Sequence, residues 1–294
     1  MFGIEEEATL TFTVLASNRS TGEVGAAAAS FVLAVGARVP VVVRGRGAAA
    51  VQGGAPLALR DVVRRRLLAG HTAQIIVDSL APDLPEDAQI GVVDSAGRTA
   101  VRSGRALEPH VSVAHGPGIL VLANLMERSA VAAAALDAAA GRHESDHLAD
   151  GLLAALRASD EMGGDVRGRL SAAMVIRGPR DVDLRVDHDP RPVPTLRRLH
   201  RVHLAHAALE RTRQVHGVYQ DLDVVRHAHG LAPDDPVCLG ALVLALLRSG
   251  GVDEAVAPAR QLLRVEGRLP VRLRRAAEGG TVDATLVESL LQRL

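Results

Sequence analysis

The order of sequence patterns along this 294-residue chain is the feature that most constrains its fold. Up to about residue 187, short apolar runs alternate with turn-forming residues, a pattern typical of β-strands. From residue 194 onward, apolar residues recur at helical spacing. The segment between them, DPRPVP at 189–194, contains three prolines within five residues. We therefore predict a linker there and two domains, residues 1–193 and residues 194–294.

The first domain is predicted to be α+β. Its segments with strand patterns are 8–17, 22–35, 39–43, 88–95, 98–104, 118–126, 170–178 and 182–187. Its segments with helical spacing are 57–68, 72–80, 129–140 and 145–159. Thr72 is the predicted N-cap of the second helix, and Gly141 is predicted to end the third. Strands followed by helices and then by strands favour a layered α+β domain over a doubly wound parallel sheet.

The second domain is predicted to be entirely helical and partly tetratricopeptide-like. Leu239, Leu242 and Leu246 form one helical stripe, and a second stripe follows the break at Gly250 and Gly251. One such helix pair is too short for a free-standing solenoid, which needs about three units. We therefore expect these helices to pack against the first domain or against a protein partner, and we expect the protein to form a homo-oligomer.

Composition excludes several classes of chemistry. All 34 basic residues are arginine, so mechanisms that need a lysine as a base, Schiff-base former or phosphate ligand are excluded. The basic residues equal the 34 acidic ones and aromatic residues make up 1%, so no nucleic-acid partner is predicted. The single cysteine, the acidic segment MFGIEEEATL and the lack of a long apolar run predict a cytoplasmic protein without a membrane span.

The segment GRHESDHLADG, residues 141–151, contains the H-E-x-x-H spelling of a zinc protease. Such a site needs both histidines on one helical face. Ser145 or Asp146 is the expected N-cap of the next helix, which leaves His143 outside it. The metzincin continuation is also missing, since Leu153 stands where a third histidine is required. We interpret the motif as a polar turn between two helices.

Three further histidines, His200, His203 and His206, are spaced so that they drift around a helix. This spacing is more typical of an exposed stripe than of a set of metal ligands. We therefore predict that the protein binds no metal and no other cofactor.

Several separated segments resemble a bacterial family known as domain of unknown function 1028, which is grouped with the N-terminal nucleophile (Ntn) hydrolases. The segments are TFTVLA (11–16), TGEVGAAAAS (21–30), LAVGARVP (33–40), GRGAAAVQ (45–52), IGVVDSAGR (90–98), GPGILVLANLM (116–126), GGDVRGRLSAA (163–173) and VDLRVDHDPRPV (182–193). Their order is preserved, and GGDVRGRLSAA is the most specific of them. The resemblance covers about residues 9–199 and implies a four-layer αββα sandwich with its active centre at the start of the first strand.

The resemblance also implies a set of site residues. Thr11 corresponds to the family position of an N-terminal nucleophile, whose hydroxyl attacks an amide while its free α-amino group acts as the base. Asn124 is the implied oxyanion donor. Further polar residues that match family positions and are implied to contact substrate are Ser30, Gln52, Asp165, Arg167, Arg169 and Ser171. The implied substrate is a small amide or peptide-like metabolite.

The sequence also departs from the family pattern. Ten residues precede Thr11, so its nitrogen lies in a peptide bond unless they are removed. Phe31, Val41, Val51 and Leu170 replace polar or aromatic residues of the family, which makes the prospective cleft less polar. Two functions therefore remain open: an Ntn-type amide hydrolase, or a catalytically inactive member that acts as a scaffold through its helical tail.

Overall fold

The computed structural model describes residues 11–107, 111–124, 126–142, 147–212 and 221–294. Within these ranges the protein is a mixed α+β structure with ten strands in two antiparallel sheets and eleven helices. The strands are β1 (Thr11–Asn18), β2 (Glu23–Ser30), β3 (Pro40–Val43), β4 (Gly47–Gly53), β5 (Ala88–Asp94), β6 (Thr99–Ser103), β7 (Ser112–Gly116), β8 (Ile119–Ala123), β9 (Ser171–Arg177) and β10 (Val182–Val186). The helices are α1 (Val35–Arg38), α2 (Ala58–Leu68), α3 (Ala73–Leu80), α4 (Val131–Ala139), α5 (Leu148–Glu161), α6 (Pro192–Thr212), α7 (Leu222–Leu231), α8 (Pro236–Arg248), α9 (Val252–Val265), α10 (Leu269–Glu278) and α11 (Ala284–Leu291).

The larger sheet has six strands in the order β10-β9-β2-β1-β8-β7. Its central strands β1 and β2 form a hairpin in which Thr11 lies opposite Ser30. On the other side of β1, Phe12 lies opposite Ala123 of β8. Every residue of β1 is buried, because this strand is covered on both faces. The first residues of β1 therefore lie in the interior of the fold.

The smaller sheet has the order β3-β4-β5-β6 and packs face to face against the larger one. The contact is close at Gly91 of β5, where an added Cβ would lie 2.6 Å from the side chain of Leu122. Helices α4 and α5 cover the outer face of the larger sheet, and α2 and α3 contact the smaller sheet. The interior between the sheets is built mainly of alanine, valine and leucine, as the scarcity of aromatic residues requires.

Two strands were not predicted from the residues alone. β4 reads GAAAVQG and consists mostly of alanine and glycine, which have low intrinsic preference for strands. β7 reads SVAHG and is short, with no buried residue. Both form because they pair with stronger neighbours: β4 lies between β3 and β5, and β7 pairs with β8.

Local signals at helix ends were read correctly at two positions. Thr72 caps α3 by accepting a hydrogen bond from the Ile75 N–H, at 3.3 Å. Gly141 follows α4 with φ of 73°, a left-handed conformation that glycine adopts without strain. Helix α5, in contrast, begins at Leu148, and the predicted caps Ser145 and Asp146 lie outside the described residues.

The N-terminus of α5 is capped by a residue that is distant in sequence. The first N–H of this helix, that of Leu148, donates to the carboxylate of Glu23 on β2, at 3.4 Å. A carboxylate at a helix N-terminus accepts from an otherwise unpaired donor and interacts favourably with the helix dipole. A residue far away in sequence therefore does the work of a local cap.

The linker predicted at 189–194 is partly helical, because α6 begins at Pro192. Proline is tolerated in a first turn, where the N–H groups have no intrahelical acceptor. Residue contacts group the chain into two compact units that divide between Arg197 and Arg198. The assignment of residues 1–193 and 194–294 as separate domains stays a prediction.

The second unit is helical, and aspartates start three of its helices. Asp221, Asp235 and Asp283 cap α7, α8 and α11 by accepting backbone N–H bonds. The predicted stripe of α8 is buried, and α9 begins after the glycine pair at Gly250 and Gly251. None of the described helices is both long enough and apolar enough to cross a membrane.

The exposed histidine stripe predicted for α6 is wrong. His200 is buried, and His203 and His206 are half-buried. The rings of His200 and His203 stack with centroids 6.4 Å apart. Helix α6 also contributes Ala205 and Leu209 to the helical core, so part of its surface is buried.

Candidate functional site

Thr11, the first residue of β1, is bound through all of its polar groups. Its N–H donates to Oδ1 of Asn124 at 2.8 Å, and its carbonyl oxygen accepts from Nε2 of Gln52 at 3.2 Å. The backbone N–H of Asn124 also points to this carbonyl, at 3.3 Å. The Oγ1 hydroxyl donates to Oγ of Ser30 at 3.4 Å. The structure therefore brings four of the predicted site residues together.

The network continues into the smaller sheet through Gln89. Oε1 of Gln89 accepts from Nε2 of Gln52 at 2.7 Å and from Nδ2 of Asn124 at 3.0 Å. Nε2 of Gln89 donates to Ser103 at 2.9 Å, and the Thr13 hydroxyl donates to Oε1 of Gln52 at 2.7 Å. Five strands, β1, β2, β4, β5 and β6, and the residue after β8 contribute to this network.

Two backbone groups fix the orientation of the three amides. The N–H of Thr11 can only donate, so Asn124 must present its oxygen to it and its nitrogen to Gln89. The carbonyl of Thr11 can only accept, so Gln52 must present its nitrogen. No other orientation satisfies all of these bonds at once.

The network is buried and made of uncharged groups. Thr11, Gln52, Gln89 and Asn124 have no solvent-exposed surface. Buried polar groups are costly when unpaired but strengthen one another when every bond is made. The arrangement can hold a backbone nitrogen and a hydroxyl in fixed positions, and none of its members is an ionisable side chain.

A narrow pocket adjoins this network at Ser30. The pocket has about 20 Å³ of space open to water, enough for about one water molecule. Its walls include Phe12 and Leu156 and, on the polar side, Asp165 and Arg169. Ser30 both lines the pocket and accepts the hydrogen bond from the Thr11 hydroxyl, so it links the pocket to the start of β1.

Asp165, which is buried, and Arg167, which is half-buried, form an ion pair that shapes the loop before β9. Two guanidinium nitrogens of Arg167 donate to the two carboxylate oxygens of Asp165, at 3.1 and 2.8 Å. The same carboxylate accepts from the backbone N–H groups of Arg167 and Phe31, at 3.0 and 3.3 Å. The guanidinium also lies over the Phe31 ring, 5.7 Å from its centroid. These contacts give the pair a structural role in holding two loops together.

Arg169 and Ser171 have partners of their own. Arg169 donates to the carboxylate of Asp160 and, at 2.8 Å, to the carbonyl of that residue at the end of α5. Ser171 donates to the carbonyl of Val32 at 2.5 Å and accepts from the Val35 N–H at 3.1 Å. Ser171 is fully buried, and its two hydrogen bonds fix the segment that leads into α1. The structure places Arg169 at the pocket, whereas Ser171 lies outside its lining.

The region that contains this site is similar to known proteins. A profile described as a family of unknown function (DUF1028) matches residues 11–196, more than half of the sequence. The chain belongs to this family. The crystal structure of protein SPO2555 from Silicibacter pomeroyi, also assigned to DUF1028, is 28% identical, with a TM-score of 0.59. That similarity covers 65% of this chain and 88% of the other. A comparison with curated proteins gives no match.

The DUF1028 match confirms the family resemblance found in the sequence. The relation to Ntn hydrolases and the roles of the individual site residues stay predictions. The match ends at residue 196, so the helices from α7 onward lie outside it.

Three members of the polar network were missed from the sequence, namely Thr13, Gln89 and Ser103. Thr13 lies two residues after Thr11, so both side chains lie on the same face of β1. This alternation along a strand is a signal in the sequence that could have identified Thr13. Gln89 lies directly opposite Gln52 in the β4–β5 pair. Because β4 was not predicted as a strand, no sequence pattern placed these two amides together.

The H-E-x-x-H segment of this DUF1028 member does not form a helical site in the described residues. His147 has an extended backbone and immediately precedes α5, so it does not lie within a helix as a zinc-protease ligand would. His143 and Glu144 lie outside the described residues.

Proposed function

We propose that this protein is an Ntn-type amide hydrolase that acts on a small amide or peptide-like metabolite. Thr11 is its nucleophile once residues 1–10 are removed. The proposal includes a four-layer αββα sandwich, supported by the packing of α4 and α5 on one sheet and of α2 and α3 on the other. It is also supported by the family match, which begins at Thr11.

One observation carries the proposal: three buried side chains from three different parts of the fold are directed at a single threonine. Asn124 binds its nitrogen, Gln52 its carbonyl and Ser30 its hydroxyl. A nucleophile and its base react efficiently only when both are held in fixed positions before the substrate arrives. The three contacts at Thr11 restrict the positions of its nitrogen and its hydroxyl in this way.

The chemistry starts from the nitrogen of Thr11. Removal of residues 1–10 would turn it into a primary amine, whose pKa in water is about 7.7–8.0. Burial disfavours the charged form and lowers the pKa of an amine, so the neutral amine is available as a base near neutral pH. It accepts the proton of the Thr11 hydroxyl while the oxygen bonds to the substrate carbonyl carbon. The proton then passes to the leaving nitrogen as the C–N bond breaks, and water hydrolyses the resulting ester.

The other predicted residues take supporting roles in this mechanism. Asn124 orients the amine through Oδ1, and its predicted role as oxyanion donor needs the second hydrogen of its amide, because the first is donated to Gln89. Ser30, Asp165 and Arg169 line the pocket and would contact the polar part of the substrate.

Intact-mass measurement of the purified protein tests the proposal. We expect a mature chain that begins at Thr11, with amidase activity that is lost in Thr11→Ala. Thr11→Ser is the matched control, because it keeps the hydroxyl and the amine, and it should retain measurable turnover. A chain that keeps residues 1–10, less at most the initiator methionine, would contradict the mechanism, as would full activity in Thr11→Ala.

A specific observation favours the alternative of an inactive scaffold. Thr11 has no exposed surface, and the adjoining pocket holds only about one water molecule. A site of this size admits no metabolite without rearrangement. The scaffold proposal expects an uncleaved N-terminus and a homo-oligomer or a protein partner bound through the helical unit. The test is sedimentation velocity on a chain that mass measurement shows to be uncleaved. An oligomer or a complex with a co-purifying protein would support the scaffold proposal, and a monomer without such a partner would count against it.

A further inference from the structure

Three potential metal ligands meet in the helical unit, away from Thr11. His206 lies on α6, Asp235 is the N-cap residue of α8, and Cys238 lies in the first turn of that helix. Their ligand atoms all lie within 4.8 Å of one another. Nε2 of His206 is 2.8 Å from Oδ1 of Asp235. Among the residues that the structure describes, this is the group of three that has such an arrangement.

We propose that His206, Asp235 and Cys238 form a binding site for one divalent cation of the Zn²⁺ class. An imidazole nitrogen, a carboxylate oxygen and a thiolate sulfur are three ligand types that Zn²⁺ takes in proteins. The sulfur argues against Ca²⁺ and Mg²⁺, which prefer oxygen ligands. Bond lengths of about 2.0–2.3 Å place tetrahedral ligand atoms about 3.3–3.6 Å apart. The His206 and Asp235 atoms, which are hydrogen-bonded at 2.8 Å, must therefore move apart by about 0.5 Å, and ligand atoms that lie up to 4.8 Å apart must approach by about 1 Å.

Two of the three ligands are held in place by local structure. Asp235 accepts from the N–H groups of Val237 and Cys238, both at 3.0 Å, so the helix start fixes its carboxylate. The three-residue spacing then places Cys238 on the same side of the first turn. His206 approaches from α6, and 40% of its side chain is exposed. Solvent therefore reaches the cluster from the His206 side, which provides an entry path.

The electrostatics of the cluster favour a cation. Burial, followed by the neighbouring carboxylate of Asp235, raises the pKa of the Cys238 thiol to about 12. A dication at this position would compensate the negative charge of the carboxylate and of a thiolate together, and would displace the thiol proton.

The site can be tested on the full chain with metal alone. The protein is stripped with a chelator and titrated with Zn²⁺ and with Co²⁺. We expect one metal per chain and a thiolate-to-cobalt charge-transfer band, which must come from Cys238 because it is the only cysteine. Asp235→Asn is the informative variant, because asparagine caps a helix as well as aspartate does and so keeps α8 intact. Cys238→Ser removes the sulfur.

We expect both variants to weaken Zn²⁺ binding by about 100-fold or more, since even indirect partners of a metal site contribute about 10–100-fold. His203→Gln is the matched control on the same helix, outside the group of three, and should bind within about threefold of the unchanged protein. Circular dichroism confirms that each variant is folded. The proposal is overturned if the unchanged protein does not retain stoichiometric Zn²⁺. It is also overturned if Asp235→Asn and Cys238→Ser bind Zn²⁺ as tightly as the unchanged protein does. Neither result depends on whether Thr11 is a nucleophile.

Discussion

Gln89 is the residue on which the buried polar network depends most. Its amide bonds Gln52, Asn124 and Ser103, and it has no exposed surface. Gln89→Leu keeps a similar volume but leaves several buried polar groups unpaired, each at about 1–3 kcal/mol. We expect the free energy of unfolding to fall by about 2–5 kcal/mol in urea denaturation.

Gln74→Leu is the control for that experiment. Gln74 lies on the exposed face of α3, and among the described residues its side chain bonds only Asp78, at 2.7 Å. Its replacement should therefore change stability by about 0.5 kcal/mol or less. Equal effects of the two substitutions would show that the network contributes nothing beyond ordinary surface bonds.

The site could be predicted from the sequence only in part. Thr11, Ser30, Gln52 and Asn124 were named through the family resemblance, and the structure brings these four together. Gln89 was out of reach, because its position depends on a strand pairing that local sequence does not encode. The metal-ligand group was missed for a related reason: His206 lies 29 residues before Asp235, so only the packing of two helices joins them.

At the scale of elements, the contact between the two sheets depends on a glycine in β5. An added Cβ at Gly91 would lie 2.6 Å from one methyl group of Leu122 and 3.0 Å from Leu120, both of which are fully buried. We expect Gly91→Ala to lower stability by about 1–3 kcal/mol, because the core cannot shift freely. Thermal unfolding measures the effect.

Gly230→Ala provides the opposite expectation on helix α7. Gly230 is exposed, and an added Cβ would meet nothing within 4 Å. Alanine should therefore stabilise this helix by up to about 1 kcal/mol. If Gly91→Ala is neutral while Gly230→Ala stabilises, the sheets are less tightly packed at β5 than the structure indicates.

Elements with strong periodicity or clear end signals were predictable, and those stabilised by neighbours were not. Thr72 and Gly141 marked helix ends through local chemistry. β4 was missed because the partner strands, not its alanines, make it a strand. Pro192 was read as part of a linker although it starts α6, because proline is compatible with both.

For the whole molecule, the absence of lysine sets an unusual titration curve. The 34 arginines and 34 acidic residues balance at neutral pH, so the 12 histidines are the side chains that can add positive charge as the pH falls. The chain has no lysine and one tyrosine, and burial raises the pKa of Cys238 to about 12, so few side chains can change charge as the pH rises above neutral.

We therefore expect electrophoretic mobility to stay nearly constant between about pH 8 and 9.5 and to shift towards the cathode as the pH falls below neutral and the histidines gain charge. Solubility should be lowest across the flat range and should rise as the histidines protonate, because net charge opposes association. A mobility change equivalent to several charges within the flat range would contradict this account of the surface.

The buried amides also have a consequence for how the chain finds its fold. Strand β2 presents four successive alanines, residues 26–29, to its neighbours. Identical methyl groups carry no information about alignment, so β2 could slide by two residues along β1 and still bury the same surface. Only in the native alignment does Ser30 of β2 lie opposite Thr11, whose backbone is held by Gln52 and Asn124 from other strands. The polar network thus selects one arrangement from several of similar hydrophobic energy, whatever its role in catalysis.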